Sequence, residues 1–263
     1  MPDGNYQTIK LDHRGGVSTI TLNRPPLNIV TPRLLAELLD AFDVLEQREE
    51  TRSIVLTGSG TRAFCAGADL GDEARHNPEE GRSFREQGRR VVERIESHPK
   101  AIIAAVRGWC IGGGTGLAWP CDIRIAAESA KFRAGDVYLG IIPTWSVGMV
   151  RLVHYIGRNR TLDTLLLGED ITARAAFELG LVSKVVADDA FDQEVQRIAD
   201  RLASGAPLAI KAIKEAVRAQ AWESQDRAAR LEEMSAQKVL ASRDAKEGMA
   251  AFKDKRKPDF RGK

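Results

Sequence analysis

Cysteine is scarce in this chain: Cys65, Cys110 and Cys121 are the three in 263 residues, and no C-x-x-C pair occurs among them. That count and spacing argue against a disulfide-stapled scaffold or a zinc ribbon, and apolar surroundings for all three thiols fit a reducing compartment. Histidine ligand spacing is absent too, because His13, His76, His98 and His154 are scattered along the chain, so no metal site is expected. Net charge is almost missing: 39 basic against 37 acidic residues leave +2, too balanced for a chain devoted to nucleic acid. No apolar run approaches a membrane span, and the N-terminal MPDGNYQTIKLDHRGG carries neither a secretory nor a transit-peptide pattern. The expectation is a soluble, cytoplasmic protein without membrane partners. What is present is a 43% hydrophobic composition on a length that suits one large α/β domain.

Residues 8–24, TIKLDHRGGVSTITLNR, alternate in apolar and β-branched character around Gly15-Gly16, which predicts a hairpin. From Thr31 to about Gln47, Leu34, Leu35, Leu38, Leu39, Phe42 and Leu45 recur at helical spacing, with Thr31 a candidate N-cap before Pro32. Buried strands are expected at SIVLTG (53–58), AIIAAV (101–106) and DIRIAA (122–127), separated by a glycine-rich loop at 58–71, a polar helix at 79–97 and a short helix. Such alternation is that of a parallel α/β arrangement. Beyond Ala187 the pattern becomes successive amphipathic helices at 188–204, 207–220, 222–242 and 245–253. The reading therefore divides the chain into an α/β core, 1–187, and a helical C-terminal region, 188–263.

The stretch GWCIGGGTGLAWPCD, 108–122, holds three consecutive glycines and no charged side chain before Asp122. A dinucleotide loop, G-x-G-x-x-G, fails because Leu117 occupies its third glycine position. A phosphate loop fails because Gly114 stands where the lysine is required. Close helix-to-strand packing remains one reading. The other comes from a second loop of small residues, TRAFCAGADL at 61–70, which follows the preceding strand in the same way. Loops after neighbouring parallel strands open at one sheet edge, where two bare main-chain N–H groups form an oxyanion hole.

With these loops the chain resembles the crotonase, or enoyl-CoA hydratase/isomerase, family. The likeness runs from Ile9 to Phe260 through LNRPPLN, SIVLTGSGTRAFCAGADL, AIIAAVRGWCIGGGTGLAWPCDIRIAAESAKF, LGIIP, ELGLVSKVV and EGMAAFKDKRKPDF, in that order. It implies a spiral of ββα turns, a C-terminal helical trimerisation region, and acyl-CoA thioesters as substrates, with no permanently bound cofactor and a homotrimer or hexamer as the assembly. Carried over by position, Ala68 and Gly113 supply the two N–H donors to the thioester oxygen, stabilising an enolate. The loop at Cys65 and Ala66 passes the adenine, Arg24 lies along the CoA path, and Lys255 or Lys257 either meet CoA phosphates or form a solvated tail.

Hydratases of this family use two glutamates. At the first of those positions this chain has Gly116; at the second it has Asp136, within FRAGDVYLG. Syn addition of water needs two groups, whereas moving a double bond needs one proton shuttle beside the oxyanion hole. Asp136 is the candidate acid, its pKa lifted from about 3.9 by apolar neighbours Val137, Tyr138 and Leu139; capping a turn is its alternative role. Trp145 either walls the acyl pocket or fills core. Thr144, where some relatives carry their acid, lacks an acidic group, and Ser146 lacks the full nucleophile-elbow motif. Asp69, Asp72, Glu73 and Glu86 follow the first loop, with Glu73 a candidate second acid. The expected function is isomerisation or hydration of an enoyl-CoA; the alternatives are an acyl-CoA decarboxylase or hydrolase, and a non-catalytic CoA-ester-binding paralogue.

Overall fold

The predicted hairpin forms, with β1 (Ile9–Arg14) antiparallel to β2 (Val17–Leu22) and Arg14 opposite Val17 across the two glycines. The computed structural model describes residues 6–69, 78–139, 142–143, 145, 149–223 and 225–263. Helix α1 (Pro32–Gln47) starts as its sequence dictates: the Thr31 side chain accepts from the Leu34 amide, and Pro32 needs no partner in the first turn. Its periodic Leu34, Leu35, Leu38, Ala41, Phe42 and Leu45 are all buried.

Three units then repeat one plan. β3 (Ser53–Gly58) is followed by β4 (Ala63–Cys65) and α2 (Pro78–Ser97); β5 (Ala101–Val106) by β6 (Trp109–Ile111) and α3 (Gly113–Ala118). β7 (Ile123–Ala127) is followed by β8 (Lys131–Arg133), a 3-10 turn at Asp136–Leu139 and α4 (Met149–Leu167). The chain continues through β9 (Ile171–Thr172), α5 (Ala173–Glu178) and β10 (Lys184–Val186). Among the described residues, the first strand of each unit joins a sheet of order β1-β2-β3-β5-β7-β10, and the second joins a smaller sheet, β4-β6-β8-β9. This is a spiral of ββα turns. Both second-strand loops therefore emerge side by side, since β4 and β6 are parallel neighbours.

All six positions of β5 are buried, as expected of a parallel strand covered on both faces. One face meets α1 and α2; the other meets α6 (Phe191–Ala203), whose Phe191, Val195 and Ala199 pack against Val17, Val55, Ile103 and Ile125. Helices α7 (Pro207–Trp222), α8 (Gln225–Leu240) and α9 (Arg243–Lys253) complete the chain. Asp122 anchors α7: its Oδ2 accepts from Lys214 Nζ at 2.5 Å and from the Ile102 amide at 2.7 Å. Burial pushes the Asp122 pKa up, and the Lys214 charge opposes that shift. Among the described residues no helix is long and apolar enough to cross a membrane.

Candidate active site

Residues 66–69 are held by a parallel bridge between Val30 and Ala68 and by the Ala66 amide, which donates to the Leu27 carbonyl at 2.9 Å. The Val30 amide donates to the Gly67 carbonyl at 2.8 Å, and the Asp69 amide donates to the Val30 carbonyl at 3.2 Å. In a parallel pairing of this kind the central residue turns its own N–H to the opposite side. The Ala68 N–H therefore faces away from Val30. Gly113 lies close by: a Cβ built on it would be 3.4 Å from the Ala68 nitrogen and 3.4 Å from Val30 Cγ2.

Gly113 is the first residue of α3, so its N–H has no intrahelical acceptor. Among the described residues no carbonyl accepts from the Ala68 or Gly113 amide. The preceding Gly112 has φ +48° and ψ −109°, a conformation that favours glycine, and it turns the chain from β6 into the helix. Gly114 answers to a different demand. A Cβ there would lie 2.1 Å from the Cys65 carbonyl oxygen, so α3 and β4 approach as closely as backbones allow.

A cleft of about 1000 Å³ opens over these amides, lined among others by Ala66, Ala68, Gly113, Asp136, Tyr138, Leu139 and Trp145. Asp136 sits half-buried at the start of the 3-10 turn, and burial raises its carboxyl pKa above the ordinary 3.8, which its own backbone amide partly offsets. Trp145 is nearly buried, edge-on to Phe84 at 5.8 Å between ring centroids. Its ring lies directly on Gly88 of α2, where a Cβ would come within 2.3 Å of the indole. Gly88→Ala is therefore expected to push the indole toward Gly113, lowering acyl-CoA turnover and costing about 1–3 kcal/mol of stability. Steady-state kinetics and a denaturation midpoint test both parts, and turnover at the parental value would show that the indole moves without narrowing the cleft.

The loop carrying Ala66 is stitched from below by Asn28, buried with φ +50°. Its Nδ2 donates to the Ser59 and Ala63 carbonyls at 3.1 and 2.8 Å, while its Oδ1 accepts from the Arg24 amide and the Ser59 hydroxyl at 3.0 Å each. Asn28→Ala leaves buried groups unpaired and puts alanine in the left-handed region, so a loss of about 3–4 kcal/mol in urea unfolding is expected. A loss below about 1 kcal/mol would mean that water replaces the amide.

The sequence profile of the enoyl-CoA hydratase/isomerase family matches residues 12–263. The chain belongs to that family. A probable enoyl-CoA hydratase of Bacillus subtilis (strain 168) is 38% identical over 248 residues, 94% of this chain and 95% of that protein. A 1,2-epoxyphenylacetyl-CoA isomerase of Escherichia coli (strain K12) is 36% identical, covering 94% of this chain and 96% of that one. The crystal structure of an enoyl-CoA hydratase from Bacillus anthracis superposes with a TM-score of 0.92 at 36% identity, covering 98% of this chain and all of that one. The crotonase fold and a hydratase/isomerase type of enzyme follow from these likenesses.

Within the family's frame, the structure brings Ala66, Ala68, Gly113, Asp136 and Trp145 to one cleft. Arg24 and Cys65 are not among its described lining residues. Arg24 Nη1 donates to the Ile29 carbonyl at 2.9 Å, which holds the guanidinium along its own loop. Cys65 is fully buried beneath the loop, and desolvation pushes its thiol up to about 12. Lys255 and Lys257 are exposed on the tail. Asp69 is half-buried, and Glu86 lies on the surface paired with Arg89. His98 is core: its Nε2 donates to the Phe42 carbonyl, and burial, with Arg94 and Lys214 nearby, lowers its pKa to about 3. His13 meets the Ser18 hydroxyl at 2.8 Å, and His154 borders a separate, smaller cavity beside α7. Asp72, Glu73, His76, Thr144 and Ser146 fall outside the described residues. Two cleft-lining residues that sequence reading passed over are Arg85 and Glu169, neither of which lies in a motif. Gly88 was missed as well, because its partner is a tryptophan far along the chain.

Proposed function

We propose that this protein processes acyl-CoA thioesters through an enolate held by the amides of Ala68 and Gly113, with Asp136 moving the proton. The single observation that carries this reading is the close approach of Gly113 to the Ala68 nitrogen on the wall of the Asp136 cleft. A thioester oxygen between them receives two fixed N–H dipoles as negative charge develops, each worth about 3–4 kcal/mol in the transition state. The half-buried Asp136 carboxyl, raised in pKa, then exchanges a proton with the carbon next to the thioester.

Relatives support the substrate class by their names, among them a crotonyl-CoA hydratase and a short-chain-enoyl-CoA hydratase. The reaction is double-bond migration or hydration of an enoyl-CoA. Residues 1–187 form the acyl-CoA core in this reading, and 188–263 the helical region that assembles a homotrimer or hexamer. Exposed apolar side chains late in the chain, Met234 at 66%, Met249 at 63% and Phe252 at 85%, support such assembly. Cys65 and Ala66 are assigned to the CoA path through their loop backbone, Arg24 through the turn it braces, and Trp145 to the acyl wall.

The test is deuterium incorporation from D2O at the α and γ carbons of bound acyl-CoA esters, read by mass. Incorporation at the α carbon is expected. Its absence across saturated, 2-enoyl and 3-enoyl esters of several lengths would make the chain a CoA-ester binder without catalysis.

A further inference from the structure

Gly116 leaves α3 without the carboxylate that a two-acid hydratase carries there, yet a second carboxylate reaches the cleft from another loop. Asp136 and Glu169 both line the cleft. Each follows a glycine, and the two glycines touch: a Cβ on Gly168 would lie 3.0 Å from the Gly135 Cα, and one on Gly135 would lie 3.5 Å from the Gly168 oxygen. Two further bonds pin the loops together. Arg133 Nε donates to the Gly168 carbonyl at 3.0 Å, and the Tyr138 hydroxyl donates to the Leu166 carbonyl at 3.2 Å. The segments that carry Asp136 and Glu169 are thus joined at their preceding glycines by backbone contact that substitution at either glycine disturbs.

The neighbouring charges favour an available carboxylate. Arg133, in the strand that leads into the first of the two loops, pairs with Asp170 at 3.2 Å rather than with Glu169. Glu169 is exposed at the edge of the cleft, and among the described residues it has no ion pair or hydrogen bond. A carboxylate with free lone pairs beside a wet, partly apolar cleft can orient a water molecule and take its proton.

We propose that Glu169 is the catalytic residue that activates water, so that this enzyme hydrates a 2-enoyl-CoA with the Asp136–Glu169 pair in place of the usual two glutamates. This rests on the enolate reading given above. Ionised Glu169 accepts a proton from water as the water oxygen bonds to C3. The C2=C3 electron pair moves onto the thioester carbonyl, giving the enolate between Ala68 and Gly113. Protonated Asp136 then gives its proton to C2, restoring the carbonyl. One water is added across the double bond, and a proton passes from Glu169 to Asp136 through solvent before the next turnover.

Glu169→Gln and Glu169→Asp are compared with the parent in two assays: hydration of a 2-enoyl-CoA, and deuterium exchange at the α carbon of a saturated acyl-CoA. Glu169→Gln is expected to lower kcat for hydration about 100-fold while exchange and KM stay within about threefold, and Glu169→Asp to recover part of the loss. Hydration by Glu169→Gln at the parental rate overturns the proposal. Equal loss of hydration and exchange also overturns it, because Glu169 then only props the Asp136 loop. A parent that neither hydrates nor exchanges removes the enolate reading itself, and this proposal with it, whereas a parent that exchanges but does not hydrate sinks this proposal alone.

Discussion

Replacing Asp136 with asparagine is expected to lower α-proton exchange on bound acyl-CoA by about 10³–10⁴, the upper part of what a positioned acid–base group supplies. Acyl-CoA affinity should change little, because the carboxamide fills the space of the carboxyl and the Ala68 and Gly113 amides remain. The same substitution should alter stability with a definite sign. Burial raises the folded pKa of Asp136 above its ordinary 3.8, so the native chain holds this proton more tightly than the unfolded chain does. Its contribution is fully present below pH 3.8 and is lost as pH rises through the folded pKa. At pH 7 the ionised group opposes folding, so Asp136→Asn should raise the urea midpoint there and lose that advantage at about pH 3.5, where the two midpoints should coincide. In the parent, exchange should fall as pH drops through the raised pKa, since the base form is then protonated. Parental exchange rates in the variant would move the proton shuttle to another group.

Much of the fold was legible because its signals are local. The hairpin rests on Gly15-Gly16, α1 on Thr31, Pro32 and a leucine stripe, and β3 and β5 on short apolar runs, and the structure keeps these with ends shifted by a residue or two. Helix α4 was not anticipated. Its apolar residues do not gather on one stripe, and Gly157 at φ +76° and ψ +166° breaks its periodicity. Strands β9 and β10 span two and three residues, too few to display a pattern.

The site divides along the same line. Its two backbone-donating loops are visible as glycine and alanine runs, since an uncovered amide requires small residues. The apolar surroundings of Cys65 fit a buried thiol, and β4 buries all three of its residues. Gly88 and Glu169 carry no local signature. The first matters only because Trp145 arrives over it, and the second only because Gly168 meets Gly135.

Gly114→Ala separates packing from catalysis in the bare stretch 112–114. The added methyl would sit 2.1 Å from the Cys65 oxygen, 3.0 Å from its carbonyl carbon and 3.1 Å from its Cβ. None of these atoms is the far end of a flexible side chain, so α3 itself must move away from β4. Gly113 starts that helix, and its amide would shift relative to that of Ala68, which β4's loop holds in place through Val30. Losing the alignment of one donor should lower kcat by about 10²–10³, or roughly 3–4 kcal/mol in the transition state. KM should move much less, because the remainder of a CoA ester binds away from the amides. The strain also costs about 1–3 kcal/mol of stability. Gly15→Ala supplies the comparison: its φ is +59° with nothing within 4 Å of a Cβ, so it should lose about 1 kcal/mol with kcat unchanged. If Gly114→Ala behaved like Gly15→Ala, losing stability while keeping kcat, the glycines would serve close packing alone and the Ala68–Gly113 pair would not be where negative charge is held.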